Sequence, residues 1–187
     1  MIILASTRPG RAGEALARWF AESAEEHGGF DVELVDLAEV GLPLFDEPHH
    51  PRLREYTKPH TKRWSEMVQA ADAFVFVHPE YNHSYNAALK NAIDFLHHEW
   101  AHKPVGFVSY GGVSAGTRAL QHLQPVVSAL RMVPVIPAVN VPFFTQFIDQ
   151  DGEVHPNDVM RSAAGGMLDE IERSERALRA LRQEAVA

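Results

Sequence analysis

Ala73-Phe74-Val75-Phe76-Val77-His78 is followed directly by Pro79-Glu80-Tyr81-Asn82-His83-Ser84-Tyr85-Asn86 and then by Ala87-Ala88-Leu89-Lys90-Asn91-Ala92-Ile93-Asp94. The first run is apolar at every position from Ala73 to Val77, too short for a buried helix and rich in β-branched and aromatic residues. It reads as a strand covered on both faces. From Ser84, expected to cap a helix, to His97, residues Ala88, Leu89, Ala92, Ile93 and Leu96 recur at helical spacing on one face. A fully buried strand that turns into an amphipathic helix is half of a βαβ unit. Open α/β sheets bind ligands beyond the carboxyl ends of such strands, where Pro79 to Asn82 would present backbone groups, a ring and an amide.

The same alternation extends in both directions. Ile2 to Ala5 reads as a first strand and Gly13 to His27 as a helix, with Ala15, Leu16, Trp19, Phe20 and Ala24 on one side and Gly28-Gly29 at its end. Asp31 to Asp36 reads as a second strand, Pro43 to Pro59 as a long loop and Thr61 to Ala71 as a helix. Beyond the central stretch come a strand at Pro104 to Tyr110 and a helix from Ala115 to Leu130 interrupted or kinked near Pro125. A proline-broken strand follows at Val133 to Val141, then a hairpin over Phe143 to Glu153 turning at Asp151-Gly152, and a final helix from Asn157 to Glu184. This order predicts an α/β fold, a three-layer α/β/α sandwich around a five-stranded parallel sheet in the flavodoxin-like order 2-1-3-4-5. No linker divides the chain, so residues 1–187 are expected to form one domain.

The 187 residues carry a formal charge of −8 and no cysteine. The acidic balance speaks against nucleic acid and against anionic membranes as partners. Without cysteine there is no disulfide, thiolate metal site or thiol nucleophile, which fits a reducing, cytoplasmic setting. No apolar run approaches the ~20 residues needed to span a bilayer, and no signal peptide is expected.

Two further motifs follow strands. Ser6-Thr7-Arg8-Pro9-Gly10-Arg11-Ala12-Gly13 leads into a helix, where unpaired amides and the positive dipole end favour an anion. Ser6 and Thr7 add hydroxyls, Arg8 and Arg11 add forked cationic donors, and Gly10 and Gly13 permit close approach. The loop has neither the Gly-Lys-Ser/Thr of a P-loop nor a G-x-G-x-x-G fingerprint, so a terminal monophosphate suits it better. The same residues would also make a plain capped helix start with two solvated arginines. Ser109-Tyr110-Gly111-Gly112 offers amides to an acceptor-rich ring edge, or is only a flexible turn. Glu80 could act through its backbone or its carboxylate. Arg118 is expected to pair within the fold, and Lys90, Asn91 and Asp94 to tie helix to loop or subunit to subunit. Among the eleven histidines, His49-His50 lie in a loop and His98 and His102 have helical i, i+4 spacing, but both pairs are short of a full metal-ligand set, so no metal is expected.

Taken together, Ser6-Thr7-Arg8-Pro9-Gly10-Arg11, Pro79-Glu80-Tyr81-Asn82 with Leu89-Lys90-Asn91-Ala92-Ile93-Asp94, and Ser109-Tyr110-Gly111-Gly112 followed by Ala115-Gly116-Thr117-Arg118 resemble the NADPH-dependent FMN reductase family over nearly the whole chain. The resemblance implies bound FMN, NADPH or NADH as co-substrate, and a flavin, quinone, azo compound or metal oxyanion as acceptor. It implies that Ser6, Thr7, Arg8, Arg11 and Gly13 hold the phosphate, that Pro79, Glu80, Tyr81 and Asn82 line the ribityl chain and isoalloxazine, and that Ser109, Tyr110, Gly111 and Gly112 meet the pyrimidine edge. No catalytic side chain is expected, because the chemistry would be carried in two hydride steps at the flavin N5. The family also implies a homodimer or a homotetramer built as a dimer of dimers, with Leu42 to Pro48 and Phe143-Phe144 either packed locally or serving as a seam. Two positions depart from the pattern: Ala5, where glycine is usual, and Asn86, where proline is usual. The competing reading is a flavodoxin-like electron carrier that docks a protein redox partner.

Overall fold

The computed structural model describes residues 1–184, so the last three residues of the expected 1–187 unit lie outside the described residues. The chain runs β1 (Ile2–Leu4), α1 (Gly13–His27), β2 (Leu34–Asp36), α2 (Leu37–Val40), α3 (Pro59–Ala70), β3 (Phe74–Pro79), α4 (Ala87–Asp94), β4 (Pro104–Gly111), α5 (Thr117–Ala129), β5 (Val133–Pro134), β6 (Val139–Pro142) and α6 (Asp158–Glu184). The sheet is parallel throughout, in the order β2-β1-β3-β4-β5, with β6 also on β4. It is the flavodoxin-like topology expected from the alternation of strands and helices.

Strand alternation assigns the two faces. Ile2, Leu4, Val75, Val77, Val108 and Tyr110 pack with α1 and α6. Ile3, Ala5, Phe74, Phe76, Val105 and Phe107 pack with α3, α4 and α5, around the fully buried Trp64 and Trp100. Because the central strands are covered on both sides, Phe74 to Pro79 are buried without a break, as a parallel sheet requires.

Several boundaries differ from the sequence expectation. The second strand runs only from Leu34, where the ladder begins at Ile2↔Leu34, with Glu33 O accepting from Ile2 N–H at its edge. The fifth strand is two segments on the same edge of β4. Pro134 and Pro137 bring no N–H to a ladder, and Val135 N–H still reaches Val105 O at 2.9 Å. The helix expected from Ser84 starts at Ala87. Tyr81 and Ser84 exchange backbone hydrogen bonds of 2.8 and 3.0 Å, so the chain completes a hairpin turn before it becomes helical. Ser84 is therefore not the cap of α4; its hydroxyl lies 3.2 Å from His122 Nδ1. The hairpin near Asp151-Gly152 is reduced to one bridge, Ile148↔Val154.

The long loop is fastened at both ends. Asn91 donates to Pro43 O and accepts from Phe45 N–H. Glu47 accepts from Thr57 N–H, Thr57 Oγ1 and Lys58 N–H, so its carboxylate sits at the N-terminus of α3, where the helix dipole favours it.

Candidate functional site

The tips of β1, β3 and β4 meet at the carboxyl edge of the sheet. Ser6 Oγ lies 3.3 Å from the Tyr81 hydroxyl, and Glu80 N–H donates to Tyr110 O at 3.2 Å. These two contacts bring residues from all three sequence motifs into one place.

The first tip has the makings of an anion cradle. The N-cap position of α1 is Ala12, which makes no side-chain cap, so the first helical amides are left without a side-chain acceptor. Ser6 is 1 % exposed and Thr7 and Arg8 are exposed. Gly10 takes φ +68° and turns the loop. Arg11 pairs through Nη2 with Asp36 at the end of β2, while its Nε is buried without a partner. Asp36 is already engaged, since its other oxygen accepts from Ala38 N–H at 2.8 Å. A Cβ added to Gly13 would overlap the Tyr110 phenol oxygen and stand 3.1 Å from Leu4 Cδ1.

The second tip is a two-residue turn with both central residues left-handed, Asn82 at φ +50° and His83 at φ +68°. This is the twist that connects strands tightly. Asparagine tolerates it; histidine at the second position costs about 1 kcal/mol. Arg118 Nη1 holds the His83 ring by donating to Nε2 at 2.8 Å. Tyr81 is 39 % exposed and Asn82 is exposed. The Glu80 carboxylate faces the other way. It accepts from Ser114 Oγ at 2.9 Å and Arg118 N–H at 3.2 Å, and pairs with Arg118 Nε at 2.7 Å. Burial works against its charge, but the Ser114 hydroxyl and Arg118 outweigh it and hold the carboxyl below the usual carboxylate range. Arg118 thus pairs within the fold, as expected.

At the third tip the Ser109 hydroxyl is consumed by Ala115 O and Asn140 Oδ1, each 2.8 Å away. Gly116, at φ +80°, packs so tightly that a Cβ would lie 2.8 Å from Tyr110 N. Gly112 is open, with nothing within 4 Å of a Cβ. Its carbonyl accepts from Ala115 and Phe143 N–H, and among the described residues its own N–H finds no backbone acceptor. The Tyr110 side chain leaves this group and points toward α1.

Sequence reasoning missed Asp36, Asn86 and Asn140. Asn86 Nδ2 donates to Ala5 O at 2.6 Å and joins α4 to the base of the first loop, while its Oδ1 is buried without a partner. Asp36 and Asn140 lie outside the motifs, Asn86 stands within one only as a departure from its usual proline, and the fold is what brings all three near. His98 lies in a short 3₁₀ turn and His102 at φ +60°, so their spacing is not helical. Among the described residues no group of three or more His, Asp or Glu is placed to hold a metal ion, and no helix is long and apolar enough to cross a membrane.

The features that test for a flavin mononucleotide are an uncapped helix start, the partnerless donor on Arg11, and a glycine at the first helical position that leaves room for the Tyr110 phenol beside it. All three fit a phosphate bound at the first tip with its ring system extending over the other two. The NADPH-dependent FMN reductase family model matches residues 1–146. An NAD(P)H-dependent FMN reductase of Schizosaccharomyces pombe is 42 % identical over 146 residues, covering 76 % of this chain and 72 % of the relative. One from Saccharomyces cerevisiae is 34 % identical over 180 residues, covering 87 % and 93 %. An FMN-dependent NADPH-azoreductase of Staphylococcus saprophyticus is 34 % identical over 136 residues, covering 72 % of each chain. Among solved structures, the flavoenzyme NAD(P)H:(acceptor) oxidoreductase FerB of Paracoccus denitrificans superposes with a TM-score of 0.75 at 21 % identity, over 92 % of this chain and 96 % of that one, a likeness of fold. Carried by these relatives and by three motif loops gathered at one sheet edge, the conclusion is that the chain belongs to the NADPH-dependent FMN reductase family, enzymes with FMN as cofactor and NAD(P)H as co-substrate.

Proposed function

We propose that this chain passes two electrons from NAD(P)H to a small-molecule acceptor at one open face, in two separate halves of a cycle. The flavin, when bound, supplies the electron-carrying chemistry; the chain supplies position and polarity. Ser6, Thr7, Arg8, Arg11 and the amides from Gly13 onward hold the phosphate. Pro79, Tyr81 and Asn82 lie along the ribityl chain and ring, with Glu80 serving through its backbone. Gly111 and Gly112 bring amides to the pyrimidine edge, where donors stabilise negative charge as it develops. Ser109 acts one step back, holding the loop that carries those glycines.

Glu80 stays ionised against Arg118, so it is not a proton donor, and solvent at the exposed face supplies protons. The observation that carries this reading is the joining of the three tips through Ser6, Tyr81, Glu80 and Tyr110. The accessible side of Tyr81 and Gly112 favours a site that the nicotinamide and the acceptor occupy in turn. Flavins, quinones, azo compounds and metal oxyanions are the acceptor classes, and the azoreductase relative favours the azo compounds among them. We further propose that residues 1–187 act as one FMN-binding domain in the cytoplasm and as a homodimer or dimer of dimers. Leu44 (83 % exposed), Phe45 and Phe143 would supply apolar surface for the seam.

Initial rates of NADPH oxidation, measured against acceptor concentration without any added protein, test the cycle. Parallel double-reciprocal lines are expected with a quinone and with an azo dye. Intersecting lines would exclude separate halves. Turnover only upon addition of a redox protein would favour an electron carrier instead.

A further inference from the structure

The Ser109 to Gly112 motif groups Tyr110 with residues facing a ring edge, but strand parity sends its side chain to the opposite layer. Along β4, Phe107 belongs to the core beneath α3, α4 and α5, whereas Val108 and Tyr110 belong to the core beneath α1 and α6. Tyr110 is 4 % exposed, and its ring meets Phe144 edge-on at 5.3 Å. Its hydroxyl ends against Gly13, the first residue of α1. A Cβ there would overlap the phenol oxygen and lie 3.1 Å from Cζ.

The surroundings of this hydroxyl are rich in donors. Ser6 Oγ is near it and is also within 3.3 Å of Tyr81 OH. The α1 amides are uncapped, Arg11 Nε is without a partner, and the guanidiniums of Arg8 and Arg11 bear on the phenol. The nearby carboxylate, Asp36, is taken up by Arg11 and by Ala38 N–H. Burial pushes the phenol pKa above its ordinary value, so at neutral pH the group keeps its proton and can donate. Glu14, in the first turn of α1, is likewise engaged by Arg18, so donors outnumber free acceptors here, a balance that an anion matches.

We propose that the Tyr110 hydroxyl donates a hydrogen bond to the phosphate of FMN, and that residue 13 is glycine because the phenol oxygen needs the space a side chain would take. The assignment rests on the flavin reading of the site and moves Tyr110 from the ring end of the ligand to its phosphate end. It also couples the two ends, since the carbonyl of the same residue accepts from Glu80 N–H in the loop beneath the ring.

The test compares two ligands that differ only in the phosphate. Dissociation constants of FMN and riboflavin are measured by flavin fluorescence for the wild type and Tyr110→Phe. A lost hydrogen bond to a charged group weakens binding about tenfold or more, so FMN affinity is expected to fall by that factor while riboflavin stays within about twofold. The ³¹P resonance of bound FMN is expected to shift. Equal weakening of both ligands, or no change in either, overturns the assignment. Failure of the wild type to bind FMN would instead remove the flavin reading on which it rests. A second pair of variants addresses the space. Gly13→Ala is expected to lower the thermal midpoint of the ligand-free protein, and adding Tyr110→Phe to recover part of that loss. An identical midpoint with and without the phenol oxygen would contradict the packing argument.

Discussion

Replacing Glu47 by glutamine removes a charge whose surroundings are well defined. Glu47 is 9 % exposed and accepts hydrogen bonds at 2.8, 2.9 and 2.9 Å from Thr57 N–H, Thr57 Oγ1 and Lys58 N–H, at the start of α3. Burial alone would raise its pKa. The Thr57 and Lys58 amides, with the Thr57 hydroxyl, outweigh it and bring the value from 4.5 down to about 2. The folded value is depressed, so the stabilisation is fully present above the unfolded pKa and disappears as pH falls toward the folded one. A displacement of that size corresponds to about 3 kcal/mol at pH 7, and about 2 kcal/mol of it remains at pH 3.5. Urea unfolding of the wild type and Glu47→Gln, followed by far-UV circular dichroism at pH 7 and pH 3.5, reads both numbers. The variant is expected to lose about 3 kcal/mol at pH 7 and measurably less at pH 3.5. A loss below about 1 kcal/mol at pH 7, the size of an exposed ion pair, would refute the reasoning, as would a difference that does not shrink on acidification.

Other outcomes follow from the same physics. Lys103 is 3 % exposed and donates to Val68 O and Gln69 O. Burial lowers its pKa to about 8, so the unfolded chain binds the extra proton above that value and stability rises with pH. Relative to Lys103→Met, the wild type should gain about 1.5 kcal/mol between pH 8 and pH 9.5, read by denaturant titration. Gly116→Ala places a Cβ 2.8 Å from Tyr110 N in a left-handed conformation. It should cost more than about 2 kcal/mol of stability, measured by chemical unfolding, and weaken FMN in fluorescence titrations. His83→Gly relieves the second left-handed position of the Tyr81–Ser84 turn and gives up one exposed contact to Arg118. It should stabilise by about 0.5–1 kcal/mol in thermal melts.

The sheet order was readable because the run from Ala73 to Val77 is apolar at every position and lies between amphipathic helices, a pattern that a sheet covered on both faces explains. The three loops were readable for a related reason. Each follows a strand directly, and parallel strands bring their carboxyl ends to one edge. The direction of single side chains was less accessible. Tyr110 sits within a motif of ring-edge residues, and only its parity with Val108 separates it from Ser109. That parity has meaning once the helices on each face are known. Arg11 reads as a pure phosphate ligand until Asp36 arrives from the end of β2, and Asn86 reads as a helix start until Ala5 comes within reach. Glu47 looked like part of an apolar loop, yet its partners lie ten and eleven residues on. Such partners depend on chain reversals that local periodicity does not encode.

The proposed function needs a flavin held by the three strand tips and open to the nicotinamide. Anaerobic addition of one equivalent of NADPH to the FMN-loaded protein, with absorbance followed near 450 nm, addresses it most directly. Complete loss of the oxidised flavin band within the first turnover is predicted. A band that persists while NADPH remains unconsumed would contradict it.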